Sequence, residues 1–354
     1  MWTRQTFTLL LTAPAPQMDR RSFLISVYAA GLVAAPSVLA ADPNDHAQSV
    51  SVIADIFEGD FFDPNWMSTP EARSVFSDLE SLAKEVADPE QFCRAFEQRF
   101  ARVGLSHVAL SVQRRPAAEL GQYFDSMEVG PDAVDLTWND KMASLSIRTI
   151  MGIDTGPRIS AAFEEIVSEG ATGLIIDLRD NPGGAFAMRH LVGHCITEAA
   201  DAGVLLSQGW YAENERPPEP AEIESVTPWP GNTVVGLWDH LATHPITRVQ
   251  FSPMQPNYGG PIAILINGRT ESAAELVAEV LQSARGAILI GEPSAGAMLV
   301  QRPIDVTDRF TLFLPVADYV SQGSGRIEGS GLVPDMDAAA ERAPFVASSI
   351  LNER

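Results

Sequence analysis

In the first third of the chain, apolar residues recur every three or four positions among polar ones. This spacing is that of an amphipathic helix, which buries one face. The two apolar stripes are Val75, Leu79, Leu82, Val86 and Phe92, Phe96, Phe100, Val103. Pro70 opens the first stripe and Gly104 follows the second, as expected for the start and the end of helices. We therefore predict a small N-terminal helical subdomain at residues 41–106, with the aromatic stripe in its core.

From residue 107 onwards, short apolar runs alternate with helical stretches. A short run of consecutive apolar residues between turn residues indicates a strand that is buried on both faces. The predicted strands are residues 173–178, 262–266 and 287–290, and the predicted helices are residues 158–169 and 272–284. This alternation indicates an α/β core at residues 107–340. Residues 213–233, rich in Pro and Glu, predict an exposed loop, and residues 341–354 a C-terminal tail.

The first forty residues have the pattern of an export signal. Paired arginines, Arg20 and Arg21, precede an apolar stretch that is too short to span a bilayer comfortably. Small residues lead up to Ala40, which suits cleavage after that residue, and Met18 suits the natural start. The pattern resembles a twin-arginine signal, with a Sec-type signal or an uncleaved anchor as alternatives. We predict a periplasmic or secreted protein with no stable membrane span after signal removal.

Composition excludes one class of partner. The formal net charge of −22 and the lack of a basic stripe argue against nucleic acid, because neutralising phosphates requires clustered lysine and arginine. Cys93 and Cys195 lack the spacing of metal ligands, and they either pair after export or stay free and buried. The oligomeric state does not follow from the sequence.

Two pairs of histidines are spaced four residues apart, His190 with His194 and His240 with His244. This spacing places both rings on one helix face, where they could bind a metal. Neither pair carries the general-base glutamate of a zinc peptidase motif, and His190 and His194 are expected on the polar side of a helix. We therefore predict no metal and no cofactor.

Two junctions between a strand and a helix carry residues suited to catalysis. Gly183 and Gly184 follow a buried strand and allow backbone conformations in which N–H groups point at a ligand, as in an oxyanion hole. A plain tight turn explains them equally well. Ser272 begins a helix, where its hydroxyl is exposed and the Ala273 N–H can stabilise an oxyanion. Taken alone, a serine in this position is more often a helix N-cap.

Four motifs around these junctions closely resemble those of the C-terminal processing peptidases, also called tail-specific proteases. The motifs are GLIIDLRDNPGG (173–184), ILINGRTESAAE (264–275), GEPSAG (291–296) and EGSGLVPD (328–335). They occur in the order of the family, and the resemblance covers residues 105–338. It implies a crotonase-like α/β core of stacked ββα units. It also implies a serine peptidase with Ser272 as nucleophile and with oxyanion donors from the Gly183–Gly184 turn and from Ala273.

One position departs from the Ser-Lys members of this family. The lysine that serves them as base is replaced here by Ala297. The branch that resembles the tricorn protease core uses a histidine instead, and Ser106, His107 and Glu328 match its pattern. The resemblance therefore implies His107 as general base, Glu328 as the residue that orients it, and Ser106 as a second hydrogen-bond partner.

A second departure concerns the peptide-binding PDZ domain that many relatives insert before the core. Only about 66 residues separate His107 from Leu174, which is short for a PDZ domain in addition to the predicted strand and helix. The sequence therefore does not support a separate module that reads C-termini. We predict an exported serine peptidase acting on peptides or unfolded segments. The alternative is a non-catalytic ligand- or peptide-binding protein on the same fold.

Overall fold

The computed structural model describes residues 43–353. The described part of the chain begins with the α-helices α1 (Pro43–Asp60), α2 (Pro70–Glu85) and α3 (Pro89–Phe100). The side chains of Thr69 and Asp88 cap α2 and α3, each by accepting a hydrogen bond from an amide of the first turn. The predicted export signal lies outside the described residues.

These helices share their core with a sheet. The predicted stripes are buried, except that Val86 and Val103 at their ends are partly buried. Phe92 belongs to the same apolar cluster as Leu312 and Leu314, which come much later in the chain. The helical region is therefore packed onto the sheet through a common core of aromatic and aliphatic side chains.

The rest of the chain alternates strands with helices. In chain order its elements are β1 (Ala109–Val112), α4 (Ala117–Phe124), β2 (Val134–Asn139), β3 (Met142–Ile147), α5 (Thr155–Ser168), β4 (Gly173–Asp177), α6 (Met188–Gly193), β5 (Ala200–Ser207), α7 (Gln208–Tyr211), α8 (Pro220–Ser225), α9 (Val234–Leu241), β6 (Ile246–Phe251), β7 (Ile262–Ile266), α10 (Ala273–Arg285), β8 (Ile288–Gly291), β9 (Val300–Val306), β10 (Phe310–Ser321), β11 (Gly325–Arg326), β12 (Met336–Asp337) and α11 (Ala343–Asn352). The predicted strands β4, β7 and β8 and the predicted helices α5 and α10 are confirmed. The predicted loop at residues 213–233 contains the short helix α8, and the predicted tail contains α11.

The strands form two six-stranded sheets. The first is antiparallel, with the order β1-β10-β5-β6 and with β9 and β11 also paired to β10. The second has the order β12-β8-β7-β4-β3-β2 and is parallel except for β2. Helices α5 and α10 pack on one face of the parallel strands, and α11 packs on the other. The predicted α/β class is confirmed.

The order of the parallel sheet brings the two predicted junctions together. Strands β4 and β7 are neighbours, with Ile176 opposite Ile264. Because parallel strands point the same way, both end at the same edge of the sheet. The segments that follow them, residues 178–187 and 267–272, therefore start side by side.

Cys93 and Cys195 are free and buried, which agrees with the second of the two alternatives. Burial raises the pKa of the Cys195 thiol to about 12, so this thiol stays neutral. Across residues 43–353, no helix has the length and apolar character needed to cross a membrane.

Candidate active site

The turn after β4 touches the start of α10. Gly183 and Gly184 have φ values of 83° and 148°, a region that L side chains rarely adopt. A Cβ added to Gly183 would lie only 2.7 Å from Ser272 Cβ. One added to Gly184 would overlap the backbone of Met151. Glycine is required at both positions because other chain segments approach so closely, and the predicted oxyanion turn lies directly against the predicted nucleophile.

Asn181 holds this turn in place. Its buried side chain donates to the carbonyl of Ile147 at 2.7 Å and accepts from the Gly183 amide at 2.8 Å. The Gly183 N–H is therefore already used by the protein. Within residues 43–353, the amides of Gly184 and Ala273 have no hydrogen-bond acceptor. Of the three predicted oxyanion residues, these two have an N–H available to a substrate, whereas Gly183 contributes its conformation.

Ser272 lies at the N-cap of α10 in an unusual backbone conformation. Its φ is 56° and its ψ is −124°, whereas ordinary N-cap residues lie in the β region. Such a conformation in a residue other than glycine costs about 1–3 kcal/mol and is typical of functional sites. The helix-cap interpretation describes the position of Ser272 but does not account for this strain.

A buried carboxyl, Glu275, fixes the backbone of Ser272. It accepts hydrogen bonds from the Ser272 amide at 3.0 Å, from Ser294 Oγ at 2.6 Å, and from the amides of Gly296 and Ala297 at 2.8 and 2.9 Å. Burial raises the pKa of Glu275, and these donors oppose the rise. The sequence analysis missed this residue, although a glutamate three positions after a helix N-cap is the signal of a capping box.

A second buried carboxyl, Glu328, binds the next residue of the loop that contains Gly296 and Ala297. It accepts from the Met298 amide at 2.6 Å, from the Ser106 amide at 3.0 Å and from Ser106 Oγ at 2.9 Å. Burial raises its pKa, opposed by these hydrogen bonds. The consecutive amides of Ala297 and Met298 thus bind two different carboxyls, one behind Ser272 and one behind Ser106.

His107 takes its orientation from Ser106. Ser106 Oγ lies 2.7 Å from His107 Nδ1 and donates its only proton to Glu328. It must therefore accept from His107, which places the imidazole proton on Nδ1 and leaves Nε2 free as a base. Burial lowers the pKa of His107 to about 4, so the ring is neutral at physiological pH. Glu328 thus reaches His107 through Ser106 and not by direct contact.

In the described part of the chain, no hydrogen bond joins His107 to Ser272. Like Ser272, His107 has a left-handed backbone, with a φ of 60°. In enzymes without substrate, catalytic hydrogen bonds are often long and shorten only in the substrate complex.

Glu271, directly before Ser272, is a further acidic residue that the sequence analysis missed. Its half-buried carboxyl has no hydrogen-bond or ion-pair partner within residues 43–353. Burial, together with the nearby charge of Glu275, raises its pKa from 4.5 to about 7. Glu271 is therefore an ionisable group that changes charge near neutral pH beside the candidate nucleophile.

Replacing Glu271 by glutamine is expected to stabilise the protein at alkaline pH. Because the folded-state pKa of Glu271 is raised from 4.5 to about 7, the folded state loses stability as the pH rises through this window. Glutamine removes the buried charge, and the Tm near pH 8 should rise by about 2 °C or more. Thermal unfolding followed by circular dichroism at acidic and alkaline pH measures the difference. Glu164→Gln, on the exposed face of α5, is the matched control, and an equal Tm change at both pH values would contradict the prediction.

The first histidine pair has partners within the protein. Ser160 Oγ lies 2.8 Å from both His190 Nδ1 and His194 Nε2, and His194 Nδ1 lies 2.7 Å from the carbonyl oxygen of Pro256. The expectation that both rings face the polar side of a helix is wrong for His194, which is buried and stacks on Phe163. In the part of the chain that the structure describes, no group of three or more histidine, cysteine or acidic residues could hold a metal.

Comparison with known proteins gives the family. Residues 141–338 match Peptidase family S41, which is more than half of the chain, and the chain belongs to this family. The predicted resemblance to C-terminal processing peptidases is thereby confirmed, and the class is that of serine-type peptidases.

The similarity to individual proteins is distant. The chain is 26% identical over 192 residues to carboxyl-terminal-processing peptidase 3 of the Arabidopsis thaliana chloroplast, covering 54% of this chain and 31% of that enzyme. Its fold is similar to that of the photosystem II D1 C-terminal processing protease, with a TM-score of 0.51 and 15% identity over 87% of this chain and 96% of that one. A lipoprotein from Streptococcus agalactiae gives a TM-score of 0.56 and 16% identity over 91% of this chain and 100% of its own. The matched region spans less than a third of the length of the chloroplast relative.

Proposed function

We propose that this protein hydrolyses peptide bonds through an acyl-enzyme on Ser272. The observation that carries the proposal is the pair of consecutive amides at Ala297–Met298. One amide binds Glu275, which holds the Ser272 backbone, and the other binds Glu328, which holds the Ser106–His107 pair. A nucleophile and a histidine that are far apart in sequence are thereby tied to the same short loop.

In the proposed reaction, Ser272 Oγ attacks the substrate carbonyl carbon while His107 Nε2 accepts its proton. The amides of Gly184 and Ala273 stabilise the oxyanion of the tetrahedral intermediate. His107 then protonates the leaving amine, and the same nitrogen deprotonates the water that hydrolyses the acyl-enzyme. The carboxylate of Glu328, two hydrogen bonds away, favours the imidazolium that forms during each step.

The substrate class that we propose is a peptide or an unfolded protein segment. The name of the chloroplast relative refers to carboxyl termini, but the matched region covers only 31% of that enzyme, so this specificity is not carried over. The core is proposed to be crotonase-like, which is supported by the strand–helix–strand units β3-α5-β4 and β7-α10-β8 of the parallel sheet. Residues 1–40 are proposed to direct export to the periplasm or the exterior.

Labelling with a fluorophosphonate tests the proposed chemistry. This reagent reacts with an activated serine and forms a stable phosphonyl ester, which mass spectrometry locates in a peptide digest. We expect one adduct on Ser272 and parallel hydrolysis of an unfolded protein substrate that is unaffected by a metal chelator. Folded protein that neither reacts with the reagent nor cleaves the substrate would instead support the non-catalytic binding protein.

A further inference from the structure

A segment at residues 229–238, here called the arch, connects helix α6 to strand β9. At one end, Arg189 Nη2 donates to the Gly231 carbonyl at 2.8 Å. At the other end, Trp238 Nε1 donates to the Gln301 carbonyl at 2.9 Å. Arg189 follows the oxyanion turn in the chain, and Gln301 follows Met298, whose amide binds Glu328. The arch therefore joins the helix that follows the oxyanion turn to the strand that follows the loop at Ala297–Met298.

The arch is held by partly buried hydrogen bonds and by close packing as well as at its ends. The carboxylate of Asp125 accepts the amides of Val234 and Val235 at the start of α9, and a Cβ on Gly121 of α4 would press against Val235 and Trp238. These contacts join the start of α9, which lies within the arch, to α4. Such fixed anchoring means that a substrate meets a preformed surface.

The oxyanion end of the arch presents two aromatic rings. Phe186 comes two residues after Gly184, and its ring centroid lies 5.7 Å from that of Trp229. Both side chains are half-buried, so each keeps an accessible part. The ring of His240 supports the indole from 5.9 Å. The guanidinium of Arg189 lies 5.9 Å from the Phe186 ring, but its hydrogen bonds to arch carbonyls use it as an anchor.

We propose that Phe186 and Trp229 form the subsite for a large apolar side chain of the peptide substrate, next to the scissile bond. This inference rests on the proposed function. The scissile carbonyl oxygen lies between the amides of Gly184 and Ala273, and Phe186 can be no more than about 7 Å along the chain from Gly184. A substrate side chain beside that carbonyl is within reach of the aromatic pair. Two half-exposed rings bind aromatic or large aliphatic groups, because they remove the most apolar surface from water.

Matched peptides test the subsite. Each pair of peptides differs only in phenylalanine or glycine at one position flanking the scissile bond, and kcat/KM is measured for both. We expect the wild type to prefer phenylalanine at one of these positions by about 100-fold or more. Trp229→Ala and Phe186→Ala should each reduce this ratio by about tenfold. Trp138→Ala, a matched change on the distant strand β2, should keep the wild-type ratio.

Labelling of Ser272 separates the possible outcomes. A ratio that stays at the wild-type value in both Trp229→Ala and Phe186→Ala, with Ser272 still labelled by fluorophosphonate, would overturn the subsite and leave the proposed function standing. Wild-type protein that is neither labelled nor active would overturn both. If either alanine variant fails to fold, Trp229→Leu serves instead, because leucine keeps most of the side-chain volume. Its ratio of kcat/KM values should lie between the wild-type ratio and the tenfold lower ratio expected for Trp229→Ala. A wild-type ratio in Trp229→Leu would again contradict the subsite.

Discussion

Replacing Ser272 by alanine is expected to reduce peptide hydrolysis by at least about 10⁴-fold and to abolish fluorophosphonate labelling. The reason is that the acyl-enzyme cannot form without the hydroxyl, while the amides of Gly184 and Ala273 remain. Hydrolysis of an unfolded protein substrate and mass spectrometry of the labelled protein measure the two effects. Ser168→Ala, an exposed serine at the end of α5, is the control and should retain full activity. Labelling that persists at another residue in Ser272→Ala would contradict the assignment.

A third variant separates chemistry from backbone strain at this position. Ser272→Gly should be as inactive as Ser272→Ala, but it should unfold at a higher Tm. Glycine adopts the observed φ of 56° without strain, which recovers part of the ~1–3 kcal/mol that another residue loses there. An equal Tm for both variants would show that the strain is absent in solution. A serine that is retained in spite of such a cost is best explained by the need for its hydroxyl.

The second large effect is expected at His107. Changing His107 to asparagine should reduce kcat/KM by about 10²–10⁴-fold, because the serine loses its general base. Asparagine is chosen because it tolerates the left-handed backbone that His107 adopts. His244→Asn, a change at an exposed histidine, is the matched control and should leave kcat/KM unchanged. If folded His107→Asn retains activity, a residue other than His107 is the general base.

The pH dependence of the wild-type enzyme gives an independent test of the same assignment. The base must be neutral, and burial lowers the pKa of His107 to about 4, so kcat/KM should fall only as the pH drops towards this value. Glu271, with a pKa raised to about 7, is a further group beside the serine that titrates in the measured range. The profile is therefore best recorded in Glu271→Gln as well. An acid limb near the ordinary histidine value in both proteins would contradict the lowered pKa of His107.

The helices and strands that could be predicted are those whose sequence pattern is set by a few neighbouring residues. The apolar stripes of α2 and α3 are periodic within a single helix, and strands β4 and β7 are continuous apolar runs between turn residues. A periodic stripe indicates an element that is buried on one face, and a continuous apolar run indicates one that is buried on both faces. Neither pattern depends on which segment covers the buried face. The partner itself is not local. Nothing in the spacing of Phe92 and its neighbours indicates that they pack against Leu312, more than two hundred positions later.

The candidate site also has features that the sequence predicts and features that only the fold reveals. Ser272 at a helix start and the glycines at a strand end are visible in the sequence, and the family resemblance relates them to His107 and Glu328. The resemblance does not say that Ser106 stands between these two side chains, since that depends on where β1 and the loop after β11 meet. It also gives no reason for a role of Glu271, because a raised pKa arises from burial, which a linear pattern does not contain.

The sequence by itself determined the elements, the class of fold and the two junctions, because periodicity and turn chemistry act over a few neighbouring residues. Only the tertiary structure decided how those residues work together. The order of the parallel sheet set Gly183 against Ser272, and the side chain of Asn181 bound the Gly183 amide. The loop at Ala297–Met298 donates two amides to two buried carboxyls. These contacts depend on hydrogen bonds and packing between segments that are distant in sequence, and they exist only once the chain has folded.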